Sequence, residues 1–445
     1  MNPTYREVEA ALLARWPETK LDPSLDRIRA LCDLLGDPQH ATPLIHLTGT
    51  NGKTSTSRLV DALVRGVGLR TGRFTSPHLQ SMRERISIDG EPLTEDAFVE
   101  AFADVAVFAD LADAGAEHPL SFFEMLVAMA YAAFADAPVD AAIVEVGMGG
   151  TWDATNVADA KVAVIAPIGV DHAAYLGDTA ELVATEKAGI IKPGSLAVVA
   201  NQTPEVMDVL LRRAAEVGAL VVREGVDFGV ESRLAAVGGQ QFTLHGIGGR
   251  YEDLLLPMHG AHQAHNAALA LAAVEQFTGG KALDEDLVRE AFGTVTSPGR
   301  LEVVRRGPTV LLDAAHNPHG VSALVETITE EFSFSPLVGV VGVMADKEVD
   351  QMLRILEPVL AHVVCTQNSA DRSMRAAELG EIAADIFGQD RVSVVSRLDD
   401  ALERAVTMTE TAEGFEDSVG SGGVLVTGSV ITVGEARTLT TGALS

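Results

Sequence analysis

Cysteine is almost absent from this 445-residue chain: Cys32 and Cys365 are the only two, separated by most of its length. Neither a disulfide framework nor a zinc knuckle can be built from such a pair, and two reduced thiols in a cytosolic protein are the expectation. Positive charge is scarce as well. Lys and Arg total 33 against 63 Asp and Glu, a formal net charge of −30. A field of that sign repels nucleic acid and anionic lipid, so a sequence-independent grip on a phosphate backbone is not expected. Small anions can still be held where Lys, Arg, Mg²⁺ or helix N-termini are locally concentrated. The longest helical apolar run, Met125–Ala135, is far too short to span a bilayer. Met1-Asn2-Pro3-Thr4-Tyr5-Arg6-Glu7 lacks the apolar stretch of a secretory signal. The expected setting is the cytoplasm, with neither membrane nor nucleic acid as partner.

What is present is a well-buried chain, 47% apolar and 22% charged, long enough for about two to three domains. Tyr5–Leu35 reads as helix broken near Pro17 and Pro23. Leu44–Thr48 reads as a short strand, Gly49 opens a loop, and the apolar spacing from Thr54 to Val67 fits one helical face. Two further β-branched runs, Ala141–Val146 and Val162–Ile168, end in Gly147-Met148-Gly149-Gly150 and Gly169-Val170-Asp171-His172. Continuous apolar strands of this kind belong to a parallel sheet, whose ligands sit beyond the carboxyl ends of its strands. Polar residues just past all three strands are therefore expected to converge. The alternating runs between Val221 and Leu256 predict antiparallel strands at one flank, and His262–Phe277 predicts a helix. Ser297-Pro298-Gly299 is the predicted boundary between domains 1–297 and 298–445. Beyond it, strands near Val310–Asp313, Val338–Val343, Val363–Thr366 and Val424–Thr427 alternate with helices, and Thr411–Gly423 reads as an acidic loop. The fold class is α/β: a mostly parallel sheet domain of the P-loop NTPase type, followed by a smaller Rossmann-like α/β domain.

Gly49-Thr50-Asn51-Gly52-Lys53-Thr54-Ser55 carries the clearest chemistry. Successive backbone N–H groups at a helix N-terminus cradle phosphate oxygens, and Lys53 adds a point charge, which points to ATP. The strict phosphate-loop pattern wants Gly where Leu47 stands, so the loop is a variant. Glu145, at the end of a buried strand, costs several kcal/mol, on the order of that for any buried charge, unless it meets a cation such as Mg²⁺. A strand-end Glu facing water is its plain alternative. His172 alone is more often a hydrogen-bonded structural residue than a ligand; its convergence with Glu145 at one sheet edge favours a ligand. Thr75-Ser76-Pro77-His78 and Arg83-Glu84-Arg85 offer a hydroxyl and anion-gripping arginines, or simply a proline turn and a solvated charge run. Asp313–Pro318 and Met344-Ala345-Asp346-Lys347 follow strands and suit helix caps equally well.

In order along the chain, Thr48–Lys53, Thr75–Leu79, Glu145–Gly150, Asp153–Asn156, Asp171-His172, Glu186–Ile190, His262–Asn266, Gly299–Glu302 and Asp313–Pro318 resemble the signature of the folylpolyglutamate synthase/dihydrofolate synthase family, in the Mur ligase superfamily. Single motifs here are weak; the ordered set is specific. The resemblance implies ATP-dependent addition of L-glutamate to dihydropteroate, to a reduced folate, or to both, through an acyl phosphate, by a monomer. It implies one Mg²⁺ on Ser76 and Glu145 and a second on His172 and a carbamylated Lys187, with Lys53, His172 and Lys187 as the catalytic set. It further implies that Asn266 contacts adenine, that Arg300 and Asp313 reach ATP, and that His316 and Ser429 belong to a glutamate pocket. Ser121-Phe122-Phe123-Glu124 and Asp153 resemble the pterin pocket, ordinary core packing being the plain alternative for Phe122 and Phe123, and Arg85 is a further expected substrate contact. Thr54 stands where many family members carry Gly, and offers a second hydroxyl for the metal.

Three other readings compete. Muramyl-peptide ligases share the loop and the acyl-phosphate chemistry but usually carry a nucleotide-sugar domain ahead of it, and the 48 residues before Gly49 are too few for one. A P-loop regulatory switch leaves the second domain's polar strand ends unexplained. A dehydrogenase would want G-x-G-x-x-G after the first strand rather than a loop lysine.

Overall fold

Leu44–Thr48 is buried along its whole length because it is the inner strand of a sheet covered on both faces. In this computed structural model, which describes residues 3–17, 23–410 and 422–442, the first sheet comprises β1 (Leu44–Thr48), β2 (Thr71–Phe74), β3 (Ile86–Ile88), β4 (Glu91–Pro92), β5 (Ala141–Glu145), β6 (Val162–Ile165), β7 (Leu196–Val199) and β8 (Leu220–Arg223). Their order is β4-β3-β2-β5-β1-β6-β7-β8. β1 pairs in parallel with β5 on one side and β6 on the other, and β2 pairs in parallel with β5. The carboxyl ends of β2, β5, β1 and β6 therefore share one edge. Only the β2–β3 and β3–β4 pairings are antiparallel, so β3 alone is reversed.

The helix Lys53–Gly66 follows β1 and packs on the Ala261–Phe277 helix. The latter is apolar nearly all round, which suits full burial rather than a surface position. β9 (Gly229–Ala236), β10 (Gly239–His245) and β11 (Arg250–Leu256) form an antiparallel sheet turning at the Gly238-Gly239 and Gly248-Gly249 positions. Leu220–Arg223, within the stretch whose alternation predicted antiparallel strands, instead extends the parallel sheet as its edge. The N-terminal helical segment resolves into Tyr5–Leu13 and Asp26–Leu34. Of the acidic stretch Thr411–Gly423, positions 411–421 lie outside the described residues and Gly423 begins a strand.

The second sheet comprises β12 (Glu302–Arg306), β13 (Thr309–Leu312), β14 (Leu337–Val341), β15 (His362–Cys365), β16 (Val392–Val394) and β17 (Gly423–Thr427), ordered β12-β13-β17-β14-β15-β16. All but the β12–β13 hairpin is parallel. Side chains far apart in sequence bind this sheet's layer to the first. Glu331, at the end of the Pro318–Glu331 helix, pairs with Arg233 of β9 and with His259, and Arg437 bridges Glu302 and Gln80. Among the described residues no helix is long and apolar enough to cross a membrane.

Candidate active site

Two glycines make the Gly49–Thr54 turn possible. Gly49 and Gly52 take φ of 147° and 87°, conformations L side chains rarely adopt. A Cβ on Gly49 would meet Ala166 Cβ at 2.7 Å, and one on Gly52 would meet Asn266 Oδ1 at 2.6 Å. The loop is thus pressed between β6 and the Ala261–Phe277 helix, leaving its amides and the start of the Lys53–Gly66 helix facing a cleft of about 450 Å³. Lys53 Nζ donates to the carbonyls of Gly49 and Thr50.

The cleft runs between the two layers. Its walls include Gly49–Ser55, Ser76, Glu145, His172, Lys187 and Asn266 from the first layer, with Arg300, Asp313 and His316 from the linker and second layer. Glu145 is 1% exposed, and the Thr54 hydroxyl lies 3.0 and 3.1 Å from its two oxygens. Burial raises the Glu145 carboxyl above its ordinary range, while Lys53, Thr54 and Arg300 pull it back down. Lys187 is 4% exposed and makes no hydrogen bond or ion pair among the described residues. Burial, helped by the charge of Lys53, pushes its amine down to about 7. His172 holds a left-handed backbone at φ 53° and is pushed down to about 4 by burial.

Asp171, beside His172, receives Lys347 Nζ at 2.9 Å and Asn317 Nδ2 at 3.2 Å from the second layer. Burial alone would raise its pKa; His172 and Lys347 outweigh that and hold it low. The Met344–Lys347 segment, which suited a mere helix cap, thus reaches across to the first sheet. His316 Nδ1 lies 2.9 Å from the Ala314 carbonyl. Both Asp313 oxygens accept backbone N–H groups, from Leu301 at 2.8 Å and Ala315 at 2.9 Å, so Asp313 also braces the turn that presents Arg300. Glu224, His262 and His265 also line the cleft; no local pattern marks Glu224, which arrives through its contact with His265.

Five expected substrate contacts do not line this cleft. The Ser429 hydroxyl is spent capping the Val430–Thr441 helix through Ile431 N–H. The Arg85 guanidinium lies over the Phe122 ring, 5.0 Å from its centroid, and donates to His78. Phe123 packs under Gly147, where an added Cβ would meet its ring at 2.5 Å. Asp153 accepts the Met148 and Thr155 amides and the Thr155 hydroxyl. Phe123 and Asp153 thus meet at the Gly147 turn, on which the cleft also borders. Ser121 and Glu124, adjoining this group, form a reciprocal helix cap, with Glu124 also paired to Arg27.

Among the described residues no three His, Cys, Asp or Glu side chains cluster as a metal site. A cation here would rest on single carboxylate, imidazole and hydroxyl donors completed by a ligand's own oxygens. That is how Mg²⁺ is commonly held beside phosphates, so the donor set fits it.

The Mur ligase middle domain family matches residues 47–274, and the Mur ligase glutamate ligase domain family matches residues 299–430. A dihydrofolate synthase/folylpolyglutamate synthase of Mycobacterium tuberculosis is 52% identical over 97% of this chain and 93% of its own length. The chain belongs to the dihydrofolate synthase/folylpolyglutamate synthase family of Mur ligases. Another member of this ligase family, from Bacillus subtilis, is 33% identical over 93% of this chain and 94% of its own. Among solved structures, the M. tuberculosis folylpolyglutamate synthase complexed with ADP superposes with a TM-score of 0.95, at 51% identity, over 98% of each chain. A folylpolyglutamate synthase complexed with AMPPCP and folate superposes with a TM-score of 0.85, at 30% identity, over 98% of this chain and 99% of its own.

Proposed function

We propose that this ligase uses ATP to join L-glutamate to the carboxyl of dihydropteroate and to the γ-carboxyl of reduced, glutamylated folates. The observation that carries the reading is the buried Glu145 carboxylate under the Thr54 hydroxyl, in one cleft with the Lys53 loop and the unpaired Lys187 amine. A phosphate cradle alone serves kinases and switches as well. A cradle with a buried carboxylate and a near-neutral lysine beside it serves transfer of a phosphoryl group onto an acceptor carboxylate.

ATP lies between domains 1–297 and 298–445, its adenine toward Asn266 and its phosphates on Gly49–Ser55, with Arg300 and Asp313 at its flank. Ser76 and Glu145 would hold one Mg²⁺, with Thr54 as a further hydroxyl, and His172 and Lys187 a second. When bound, these ions neutralise the charge that spreads over the phosphate oxygens during transfer. Lys187 takes this part as a carbamate: its neutral amine forms a bond to the carbon of CO₂ and releases a proton, leaving carboxylate-like oxygens. Its depressed pKa keeps the amine nucleophilic near neutrality.

The acceptor carboxylate attacks the γ-phosphorus, the bond to ADP breaks, and an acyl phosphate results. Lys53 exchanges its backbone carbonyl partners for phosphate oxygens and stays with the charge as it moves. The amine of L-glutamate, held toward His316 on the second domain, then attacks the acyl carbon. The carbon–oxygen bond to phosphate breaks, the amide forms, and the amine proton is lost. The pteroyl ring is assigned to the Phe123–Asp153 side of the Gly147 turn. One chain carries every group this scheme uses, so a monomer suffices, and its setting is the cytoplasm, where ATP is made and thiols stay reduced.

A coupled ADP assay run side by side with dihydropteroate, tetrahydrofolate and a UDP-muramyl acceptor tests the assignment. ADP release is expected only when L-glutamate and a pteroyl carboxylate are both present. Turnover with the muramyl acceptor alone would overturn it.

A further inference from the structure

A histidine in the middle of β1 has no obvious reason to be there. His46 is fully buried, with Ile45 and Leu47 beside it in the strand, where a Val would pack at no desolvation cost. Its Nε2 lies 2.8 Å from Thr155 Oγ1. The Thr155 hydroxyl has a single proton, and that proton goes to Asp153 Oδ1. Nε2 of His46 must then be the donor and Nδ1 the bare nitrogen, which agrees with Nδ1 being the ring atom left without a partner. Burial, reinforced by the charge of Lys192, lowers its pKa to about 3, so it stays a neutral donor.

The chain of bonds continues. Asp153 Oδ2 accepts the Met148 amide at 2.9 Å, and Tyr131 holds the Thr155 carbonyl at 2.6 Å. Met148 belongs to the Gly147–Gly150 turn, which Val146 alone separates from Glu145. At its other end this turn presses on Lys187: a Cβ on Gly150 would meet the Lys187 carbonyl oxygen at 2.9 Å. Thr151 N–H also donates to the Glu186 carbonyl at 3.1 Å. The turn is therefore the spacer between Glu145 and Lys187, and the bonds starting at His46 pin it from below.

We propose that His46 is a positioning residue: through Thr155 and Asp153 it holds the Gly147–Gly150 turn, and thereby sets the spacing between Glu145 and Lys187. The second half of this statement rests on the reading of Glu145 and Lys187 as metal-side groups; the first half does not. An apolar residue at 46 leaves the Thr155 hydroxyl without the donor that fixes its orientation, so Asp153 keeps the Thr155 and Met148 amides but loses a fixed hydroxyl partner, and the Met148 amide is held less firmly.

The test uses the full-length protein with His46→Leu and Thr155→Val, which break the chain, and His46→Gln and Thr155→Ser, which keep a donor or a hydroxyl. Amide hydrogen exchange at Gly147 and Met148 is measured without metal or nucleotide, and Mg²⁺ dependence is measured by calorimetry of ADP binding and by turnover. Exchange at these two amides is expected to accelerate in His46→Leu and Thr155→Val. The Mg²⁺ needed for half-maximal ADP binding is expected to rise about tenfold, as when outer groups that orient metal ligands are lost, with the KM for glutamate unchanged. His46→Gln and Thr155→Ser are expected to restore both. Unchanged protection at Gly147 and Met148 in the breaking variants overturns the proposal. Faster exchange with unchanged Mg²⁺ dependence overturns the link to Glu145 and Lys187 and leaves the turn as its only target. Should His46→Leu fail to fold, the near-isosteric Thr155→Val decides the matter alone.

Discussion

The Thr54 hydroxyl stands over the Glu145 carboxylate, 3.0 and 3.1 Å from its two oxygens, so the helix that ends the phosphate loop is tied directly to the end of the neighbouring strand. The register of β1 against β5, which sets Leu47 opposite Glu145, creates this contact. Removing either partner has a definite consequence. Thr54→Val takes away a donor to a buried carboxylate and is expected to raise the Mg²⁺ requirement for turnover about tenfold, whereas Glu145→Gln is expected to abolish turnover. Magnesium titrations of both variants check this, and an unchanged requirement in Thr54→Val refutes the shared role.

Lys53 is the one loop side chain whose charge can follow the transferred phosphoryl group. Lys53→Ala is expected to lower kcat for ADP release by at least about 100- to 1,000-fold, the cost of removing one preorganised group facing developing charge. Near-normal rates measured by a coupled ADP assay would refute its phosphate role.

Lys187 has no partner among the described residues and its amine is pushed down to about 7 by burial. Protein equilibrated with ¹³C-bicarbonate is expected to show a carbamate carbon resonance by NMR that Lys187→Ala lacks. The same variant is expected to lose activity. Full activity in Lys187→Ala, or the same resonance in both proteins, counts against the carbamate.

The joint between the layers at Glu331 predicts a pH effect on stability. Burial alone would raise this carboxyl, but His259, the Gly260 amide and Arg233 outweigh it and hold the pKa below the ordinary 4.5. A carboxyl held low contributes stability that is fully present above its unfolded value of 4.5 and is lost as pH falls through the lower folded value. Glu331→Gln is therefore expected to cost about 1–3 kcal/mol near neutrality, the usual cost of leaving buried hydrogen-bonding groups unsatisfied. That difference shrinks as the pH drops below 4.5. Denaturant titrations of both proteins at pH 7 and below 4 measure it; a difference that does not depend on pH would show that the charge is not what matters.

The strand–loop–helix order around Gly49 and the ends of β5 and β6 could be read from local pattern, because apolar runs and glycines record backbone geometry residue by residue. The convergence of Ser76, Glu145 and His172 on one cleft follows from the parallel pairing of those strands, which a run of β-branched residues implies; Lys187, at the end of a helix, is expected there only from the family resemblance. Partner choice across long separations could not be read this way. Arg233 meeting Glu331, and Lys347 meeting Asp171, depend on how two layers dock, and neither residue lies in a periodic pattern that records it. Asp153 and Ser429 show the same limit from the other side: each carries a polar group fit for a ligand, and each spends it on a neighbouring backbone amide. His46 looked like an ordinary strand residue because its partner, Thr155, is remote in sequence.

Activation of the acceptor carboxylate by phosphoryl transfer is the central claim, and oxygen labelling tests it most directly. Dihydropteroate carrying ¹⁸O in both carboxylate oxygens is turned over with ATP and L-glutamate, and the phosphate released is analysed by mass spectrometry. One ¹⁸O atom is expected in each inorganic phosphate formed, because the carboxylate oxygen that attacked the γ-phosphorus leaves with it. Phosphate free of label, formed in step with the amide, would contradict the acyl phosphate and with it the role assigned to this cleft.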